Sequence, residues 1–496
     1  MEAKSFNRGA GILLPIASLP SEYGIGTLGN AAYHFIDLLV DLRQKYWQVL
    51  PIGPTSFGDS PYQSFSAFAG NPYLIDLNTL IEDGLLSREE VRSYNWGSEE
   101  NDIDYATIFE NRFEVLQKAF DRFDIDTKEF TYFCELNQEW LTDYSFFMAV
   151  KTFSGNKEWL QWEAGLRNRN LVTMMEYEVI LGKQISFWKF CQFQFFTQWS
   201  RLKKYANNRG IQIIGDIPLY TALDSADVWA NRDEFLLNED GTPKVVAGCP
   251  PDAFSDQGQK WGNPIYDWER MEKGQFSWWK KRMKASAGLF DIIRVDHFIG
   301  VVRYYSIFSD SLDGRNGKWN KGPGKKLTDA IKEAVGENRV IAEDLGVSIP
   351  GVKKLMAKTG WPGMKVLLFA FDGNTSNEHL PHNYTDTNIV LYAGTHDNDT
   401  VVGYFKDKTE YELAYLYEYL GISAKEEIPD AIIRLAYSSI ADIVIIQMQD
   451  IIKLGNEARM NLPSTVGRNW RWRFKKDGLT EERRSWFRTL ATIYRR

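Results

Sequence analysis

Eight short apolar runs, separated by polar, glycine-bearing or proline-bearing segments, constrain the fold of this 496-residue chain more than any other feature. They are rich in β-branched residues, and most are continuously apolar rather than alternating. This pattern is typical of strands that are buried on both faces of a parallel sheet. The predicted strands cover residues 11–19, 46–53, 211–220, 292–299, 339–345, 364–370, 389–396 and 460–466.

Helical periodicity lies between several of these strands, for example over residues 35–42 and 187–195. Strands that alternate with helices predict an α/β protein with a parallel sheet. Eight of them favour a closed (β/α)8 barrel over an open doubly wound sheet, and no glycine-rich phosphate loop follows the first strand. We therefore expect a single (β/α)8 catalytic domain over residues 1–496.

Two long interruptions separate the predicted strands. The first, over residues 54–205 between strands 2 and 3, is rich in Glu, Phe and Trp and is expected to be a mainly helical subdomain. The second spans residues 221–290 between strands 3 and 4. Within it, residues 241–264 carry four glycines and four prolines, which predicts an ordered but irregular loop. Loops that follow barrel strands build the active site, so this loop is expected to contribute to it.

Composition excludes several classes of protein. A net charge of −8 with 25% charged residues argues against disorder and against a nucleic-acid-binding surface. Three cysteines lie far apart without a CxxC pair, which argues against a disulfide framework and favours a reducing cytoplasm. Apolar runs such as residues 443–446 fall well short of the ~18 residues that a membrane span needs. We therefore expect a cytoplasmic protein with neither nucleic-acid nor membrane partners.

Acidic residues end four of the predicted strands. They are Asp216, Asp296, Glu343 or its neighbour Asp344, and Asp397. A charged carboxylate at the end of an apolar strand loses hydration unless it is paired or used in chemistry. An isolated acid of this kind is more often a helix cap. Four acids together indicate an active site, because all strands of a barrel end at one rim.

Strand geometry and charge suggest different roles for these acids. Side chains alternate along a strand, so Arg294 shares a face with Asp296 and is expected to hold it ionised. A second carboxyl group in a less polar setting could keep its proton, and such a pair cleaves glycosidic bonds. Retaining enzymes hold the pair ~5–5.5 Å apart and inverting enzymes ~6.5–9.5 Å apart. Alternation alone leaves both this distance and the choice between Glu343 and Asp344 open.

Histidines and loop aromatics supply further candidates. His297 and His396 lie inside two of the acidic motifs. Each could donate a hydrogen bond to a substrate hydroxyl or have a structural role. Metal ligation is disfavoured because no H-x-x-x-H spacing occurs. Aromatic residues make up 14% of the chain, and most are expected to pack in the core. Tyr62 and Trp261, however, lie in polar loop sequence. Their rings are candidates for stacking on sugars.

Six motifs together resemble glycoside hydrolase family 77, the 4-α-glucanotransferases also known as amylomaltases or disproportionating enzymes. They follow the order of that family from residue 8 to about residue 473. They read SPYQSFSAFAGNP at 60–72, GDIP at 215–218, GQxWGNP at 258–264, RVDH at 294–297, AEDLG at 342–346 and THDN at 395–398. The resemblance implies a (β/α)8 TIM barrel with large insertions and without a C-terminal β-sandwich domain.

The same resemblance implies roles for individual residues. Asp296 would be the nucleophile, Glu343 the general acid/base and Asp397 the stabiliser of the transition state. Residues implied in substrate binding are Tyr62, Asp216, Asp252, Phe254, Trp261, Arg294, His297, His396 and Asn461. The implied reaction transfers α-1,4-glucan segments between sugars by a retaining double displacement, without a metal or cofactor, in a monomer or homodimer. An α-amylase-like hydrolase and a non-catalytic glucan-binding protein are the alternatives.

One position departs from the family pattern. The family commonly has an aromatic residue where this chain has Ala253, between Asp252 and Phe254. Because a flat ring at this position would contact substrate sugars, we expect Ala253→Tyr to shift the distribution of product lengths without abolishing turnover. Chromatography of the products formed by the variant and by the unaltered protein measures this shift, and identical distributions would contradict the expectation.

Overall fold

Twelve β-strands form two sheets in the computed structural model, which describes residues 6–56, 58–251, 256–346 and 349–496. The strands are β1 (Gly9–Leu13), β2 (Tyr46–Gln48), β3 (Gln212–Ile217), β4 (Val245–Cys249), β5 (Gln259–Pro264), β6 (Ile292–Val295), β7 (Arg303–Phe308), β8 (Gly317–Lys321), β9 (Val340–Ala342), β10 (Gly363–Val366), β11 (Ile389–Tyr392) and β12 (Ile443–Gln447).

Eight of these strands build the central sheet, in the order β10-β11-β12-β1-β2-β3-β6-β9, and all of its pairings are parallel. The two end strands come together. The Ala342 N–H donates to the Pro362 carbonyl at 3.0 Å, and the Asp344 carboxylate accepts from the Met364 N–H at 2.8 Å. The sheet is thus a nearly closed barrel, which confirms the predicted TIM-barrel fold.

The eighth strand is not the predicted one. Residues 460–466 form no strand, and the place between β11 and β1 belongs to β12 (Ile443–Gln447). The run of residues 443–446 is apolar and β-branched, although it is too short to span a membrane. Residues 460–466 carry only scattered apolar side chains, and Pro463 among them has no N–H for a sheet ladder.

Within the described residues, twenty α-helices accompany the strands. They are α1 (Asn30–Asp41), α2 (Leu77–Glu82), α3 (Arg88–Arg92), α4 (Tyr105–Arg122), α5 (Lys128–Leu136), α6 (Gln138–Phe153), α7 (Ala164–Arg167), α8 (Leu171–Ile180), α9 (Gly182–Asn208), α10 (Ala226–Ala230), α11 (Trp268–Lys273), α12 (Ser277–Leu289), α13 (Ile299–Val302), α14 (Lys325–Val335), α15 (Pro350–Thr359), α16 (Val401–Lys406), α17 (Glu410–Leu420), α18 (Ile428–Ser438), α19 (Met448–Ile451) and α20 (Glu481–Ile493). Helices α2–α9 lie between β2 and β3. None of the helices in the described part of the chain is long and apolar enough to cross a membrane.

The second sheet is antiparallel and has the order β5-β4-β7-β8. Two of its strands, β4 and β5, fall within residues 241–264, where an irregular loop was expected. Val246 pairs with Ile307, and both are buried together with Tyr305 in a small apolar cluster. Local sequence does not predict these strands, because β4 depends on β7, which lies far along the chain beyond β6, and β5 in turn pairs with β4.

Asp450, directly after β12, is fully buried. Its Oδ1 accepts the Val401 N–H at 2.7 Å at the start of α16, and its Oδ2 has no partner among the described residues. Burial raises the pKa of Asp450 to about 7. The folded protein therefore holds a proton that the unfolded chain releases between about pH 4 and 7. This contribution to stability is complete at low pH and is lost as the pH rises through 7.

We expect Asp450→Asn to remove this pH-dependent loss of folding stability. The amide oxygen can still accept the Val401 N–H, and the new side chain has no ionisable group. Relative to the unaltered protein, the variant should gain on the order of 2 kcal/mol in free energy of unfolding between pH 5 and pH 8. Urea unfolding at both pH values measures this difference. Asp477→Asn, at an exposed position, serves as the control, and equal pH dependence in all three proteins would refute the expectation.

Candidate active site

The predicted acids all lie at the carboxyl ends of barrel strands. Asp216 is on β3, Asp296 follows β6, Glu343 follows β9, and Asp397 lies beyond β11. Because the strands are parallel, these ends share one rim of the barrel. The sheet register places Asp216 directly beside Arg294 of the neighbouring strand β6.

Arg294 joins two of the acids. Its Nη1 lies 2.6 Å from Asp216 Oδ2, and its Nη2 lies 3.0 Å from Asp296 Oδ1. The Asp216 side chain is fully buried, whereas that of Asp296 is 28% exposed. Burial raises the pKa of Asp216, and the Arg294 charge opposes this rise. The guanidinium thus compensates one buried carboxylate and pairs with a second that is partly exposed.

Glu343 lies in a different environment. Its Oε2 accepts the His297 N–H at 2.7 Å, and its Oε1 accepts the Leu345 N–H at 2.7 Å. Burial, reinforced by the negative charge of Asp296, raises the pKa of Glu343 to about 8. Asp344 instead turns toward β10, where it accepts from Met364. The structure therefore puts Glu343 beside the other acids and gives Asp344 a place in barrel closure.

Asp397 is the most open of these acids, with 45% of its side chain exposed. Its Oδ1 accepts a hydrogen bond from Asn461 Nδ2 at 2.6 Å. Its Oδ2 lies 3.4 Å from Nε2 of the buried His396. Two predicted binding residues, His396 and Asn461, thus contact the Asp397 carboxylate.

Tyr62 connects the two sides of the rim. Its hydroxyl donates to Asp216 Oδ2 at 2.9 Å and lies 3.5 Å from His396 Nδ1. Its ring stacks on the His396 ring with centroids 5.1 Å apart and planes at 19°. Trp470 packs on both rings, at 5.8 Å from Tyr62 and 6.0 Å from His396. Trp470 was not among the predicted site residues, because its contacts with Tyr62 and His396 join segments that are distant in sequence.

Buried polar groups fix the loop that carries Tyr62. Asp227 of α10 accepts the Ala67 N–H at 2.7 Å. Gln192 of α9 accepts from the Gly70 N–H at 2.8 Å and donates to the Gly70 carbonyl at 2.9 Å. A Cβ at Gly70 would lie 2.0 Å from the Phe195 ring, so the close approach of this loop to α9 requires glycine. Helix α9 before β3 and helix α10 after it therefore hold the loop in place.

Trp261 and His297 form the opposite wall. Their ring centroids are 4.8 Å apart, with the planes at 85°. The Trp261 Nε1–H donates to Gln259 Oε1 at 3.0 Å, and Gln63 Nε2 donates to Asn263 Oδ1 at 3.1 Å. This second bond ties strand β5 to the loop of Tyr62.

His297 has an unusual backbone and an unpaired ring nitrogen. Its φ of 51° lies in the left-handed region, which is strained for a residue with a Cβ and is characteristic of functional sites. Its buried Nε2 has no hydrogen-bond partner among the described residues. Burial lowers the pKa of His297, so the ring is neutral at pH 7. A neutral imidazole of this kind can donate to or accept from a sugar hydroxyl.

The structure brings together ten of the twelve predicted site residues. The other two, Asp252 and Phe254, lie outside the described residues, as does Ala253. No group of three or more His, Cys, Asp or Glu side chains within the described ranges is arranged to hold a metal ion. The arrangement offers a carboxylate paired with Arg294, a buried carboxyl group with a raised pKa, a third acid at the opening and several aromatic faces.

Comparisons with known proteins agree with this geometry. The family model of glycoside hydrolase family 77, described as 4-alpha-glucanotransferase, matches residues 14–480. A 4-alpha-glucanotransferase of Clostridium butyricum is 48% identical over 486 residues, covering 97% of this chain and 99% of the relative. One of Thermus thermophilus is 43% identical over 495 residues, covering 98% of each.

Solved structures give the same result. The amylomaltase of Streptococcus agalactiae in complex with acarbose has a TM-score of 0.95 and 41% identity, covering 99% of both chains. The amylomaltase of Corynebacterium glutamicum, at 18% identity and a TM-score of 0.76, shares the fold. The chain therefore belongs to glycoside hydrolase family 77, the 4-alpha-glucanotransferases, and is an enzyme of that class.

Proposed function

We propose that this enzyme transfers α-1,4-glucan segments from a donor glucan to the 4-hydroxyl of glucose or a maltooligosaccharide. The reaction is a retaining double displacement through a covalent glucosyl-enzyme. The observation that carries the mechanism is that Arg294 pairs with Asp296 at 3.0 Å, whereas burial raises the pKa of Glu343 to about 8.

Asp296 is the nucleophile in this proposal. Its side chain is ion-paired with Arg294 at 3.0 Å, and its partial exposure lets it approach a bound sugar. Attack on the anomeric carbon forms a bond between that carbon and Asp296 and breaks the bond to the departing sugar. Glu343 supplies a proton to the departing oxygen, since a pKa of about 8 keeps it protonated at neutral pH.

The second step needs the reverse proton transfer. Once Asp296 is esterified, it carries no charge, and the charge of Asp296 is one of the causes that raise the pKa of Glu343. The pKa of Glu343 then falls, and its carboxylate can accept the proton of the acceptor 4-hydroxyl. The acceptor oxygen attacks the anomeric carbon and releases Asp296, which inverts the configuration a second time.

The other rim residues bind and orient the sugar. Asp397 lies at the opening and would stabilise the positive charge of an oxocarbenium-like transition state, while His297 and His396 contact hydroxyls. The rings of Tyr62 and Trp261 offer flat faces to the pyranose rings. Transfer instead of hydrolysis requires that a bound acceptor exclude water, and Trp261 on strand β5 supports such a role for the segment 241–264.

The wider setting follows from this chemistry. Donor and acceptor are both α-1,4-glucans, so we place the reaction in the metabolism of maltooligosaccharides, glycogen or starch. We further propose that the enzyme acts in the cytoplasm as a monomer or homodimer. The expected residue roles do not call for a metal or an organic cofactor.

Incubation with maltotriose tests the reaction. We expect glucose together with oligomers longer than the substrate, because glucose departs from the reducing end while the maltosyl group forms the ester with Asp296 and then passes to a second maltotriose. Asp296→Asn should reduce turnover by roughly 10³-fold or more, since the amide cannot form the ester. Asp310→Asn, at an exposed position, is the control. Products that are only shorter than the substrate would indicate a hydrolase, and an active Asp296→Asn enzyme would exclude it as the nucleophile.

A donor with a good leaving group tests the role of Glu343. Fluoride departs without protonation, so Glu343→Gln should keep the first step with α-maltosyl fluoride while losing turnover of maltotriose. Because the second step then lacks its base, a maltosyl-enzyme should accumulate and be visible by mass spectrometry of the intact protein. In the unaltered enzyme, kcat/KM for maltotriose should fall as the pH rises above about 8.

The matched control is Glu337→Gln, which alters an exposed glutamate. It should behave like the unaltered enzyme with both donors. A Glu343→Gln variant that loses both reactions equally, or one that keeps both, would contradict the assignment of Glu343 as acid/base.

A further inference from the structure

Arg459 uses all three guanidinium nitrogens on the segments that carry two site residues. Its Nη2 donates to the main-chain carbonyl of Asp397 at 2.6 Å, and its Nε donates to the main-chain carbonyl of Asn461 at 2.7 Å. Its Nη1 pairs with the carboxylate of Asp399. The side chain is 17% exposed, so these contacts lie largely away from bulk water.

The two main-chain contacts of Arg459 lie on either side of the hydrogen bond between the Asn461 and Asp397 side chains. Asn461 Nδ2 donates to Asp397 Oδ1 at 2.6 Å. Asp397 lies in a turn beyond β11, outside any strand, and its side chain is nearly half exposed. Its orientation therefore depends on tertiary contacts, and Arg459 holds the backbones on both sides of this bond.

The segment of Arg459 is itself anchored to the barrel. Gln449 Nε2, next to the buried Asp450 after β12, donates to the Ala458 carbonyl at 3.0 Å. The Asn456 side chain accepts the Thr400 N–H at 3.2 Å. Arg459 thus connects a fixed part of the barrel end to the more open turn of residues 395–399.

We propose that Arg459 is a positioning residue for Asp397, acting through the main chains of Asp397 and Asn461 and without touching the substrate. The inference rests on the proposed role of Asp397 in transition-state stabilisation. Lysine cannot replace this arginine, because a single ammonium group cannot direct three donors to acceptors in the plane of a guanidinium.

Steady-state kinetics of Arg459→Lys with maltotriose test the inference. A misplaced Asp397 weakens binding of the transition state more than binding of the substrate, so kcat should fall roughly 10- to 100-fold while KM changes less than about threefold. The thermal midpoint should stay close to that of a control variant. Asp399→Asn, which leaves both carbonyl contacts of Arg459 in place, should lower kcat in the same direction but by less.

Arg483→Lys provides that control. Arg483 is 14% exposed, donates to the Ile451 carbonyl and pairs with Asp430 at 2.6 Å, so its environment resembles that of Arg459. The structure gives it no contact with the predicted site residues. We expect its kcat to be unchanged. Equal losses of kcat and thermal midpoint in both arginine variants would show a merely structural role and overturn the inference.

A double-mutant cycle with Asn461→Ala separates the route of action. If Arg459 acts through the Asn461–Asp397 hydrogen bond, Arg459→Lys should cost much less in kcat when Asn461 is already alanine. Additive losses would overturn the inference. An unaltered enzyme that fails to disproportionate maltotriose would instead refute the proposed function, so the two failures are distinguishable. Should Arg459→Lys fold poorly, Asp399→Asn in the same cycle gives the same decision.

Discussion

The ion pairs of Arg294 are the interaction on which the active end of this barrel depends. A fully buried carboxylate such as Asp216 is unfavourable unless a cation compensates it, and Arg294 lies 2.6 Å from it on the adjacent strand. The same guanidinium reaches Asp296 with its other terminal nitrogen. Tyr62 then donates to Asp216, which brings the loop of residues 60–66 onto the rim. A single arginine thus joins two strands, one loop and the proposed nucleophile.

Differences in environment, not in residue type, separate the roles of the acids. Asp296 has a cation in contact, Glu343 accepts only two backbone N–H groups, and Asp397 is held by an amide. In the proposed mechanism, Asp296 is therefore the nucleophile and Glu343 the acid, because Asp296 is paired with Arg294 while the pKa of Glu343 is raised. The charge of Asp296 contributes to this raised pKa, so in the proposal the step that esterifies Asp296 also lowers the pKa of Glu343.

Local patterns predicted much of the fold but misjudged some elements. Seven of the eight barrel strands lie within predicted apolar runs or overlap them, because strands buried on both faces need continuous apolar sequence. The eighth strand, β12, was not predicted, although residues 443–446 within it are all apolar. Residues 460–466 were predicted as a strand in its place. Strands β4 and β5 were missed because antiparallel pairing, of β4 with the distant β7 and of β5 with β4, compensates for their glycine and proline content.

The sequence by itself determined which acids, histidines and loop rings could form a site, since parallel strands end at one rim and an unpaired acid at a strand end is unfavourable. Alternation could not choose between Glu343 and Asp344. The resemblance to the family implied Glu343, and the structure shows how the two neighbours differ: Asp344 accepts from Met364 at barrel closure, whereas Glu343 accepts from the His297 N–H. Trp470 and Arg459 likewise emerged only from the fold, because their partners Tyr62 and Asp397 are distant in sequence and no local pattern records such contacts.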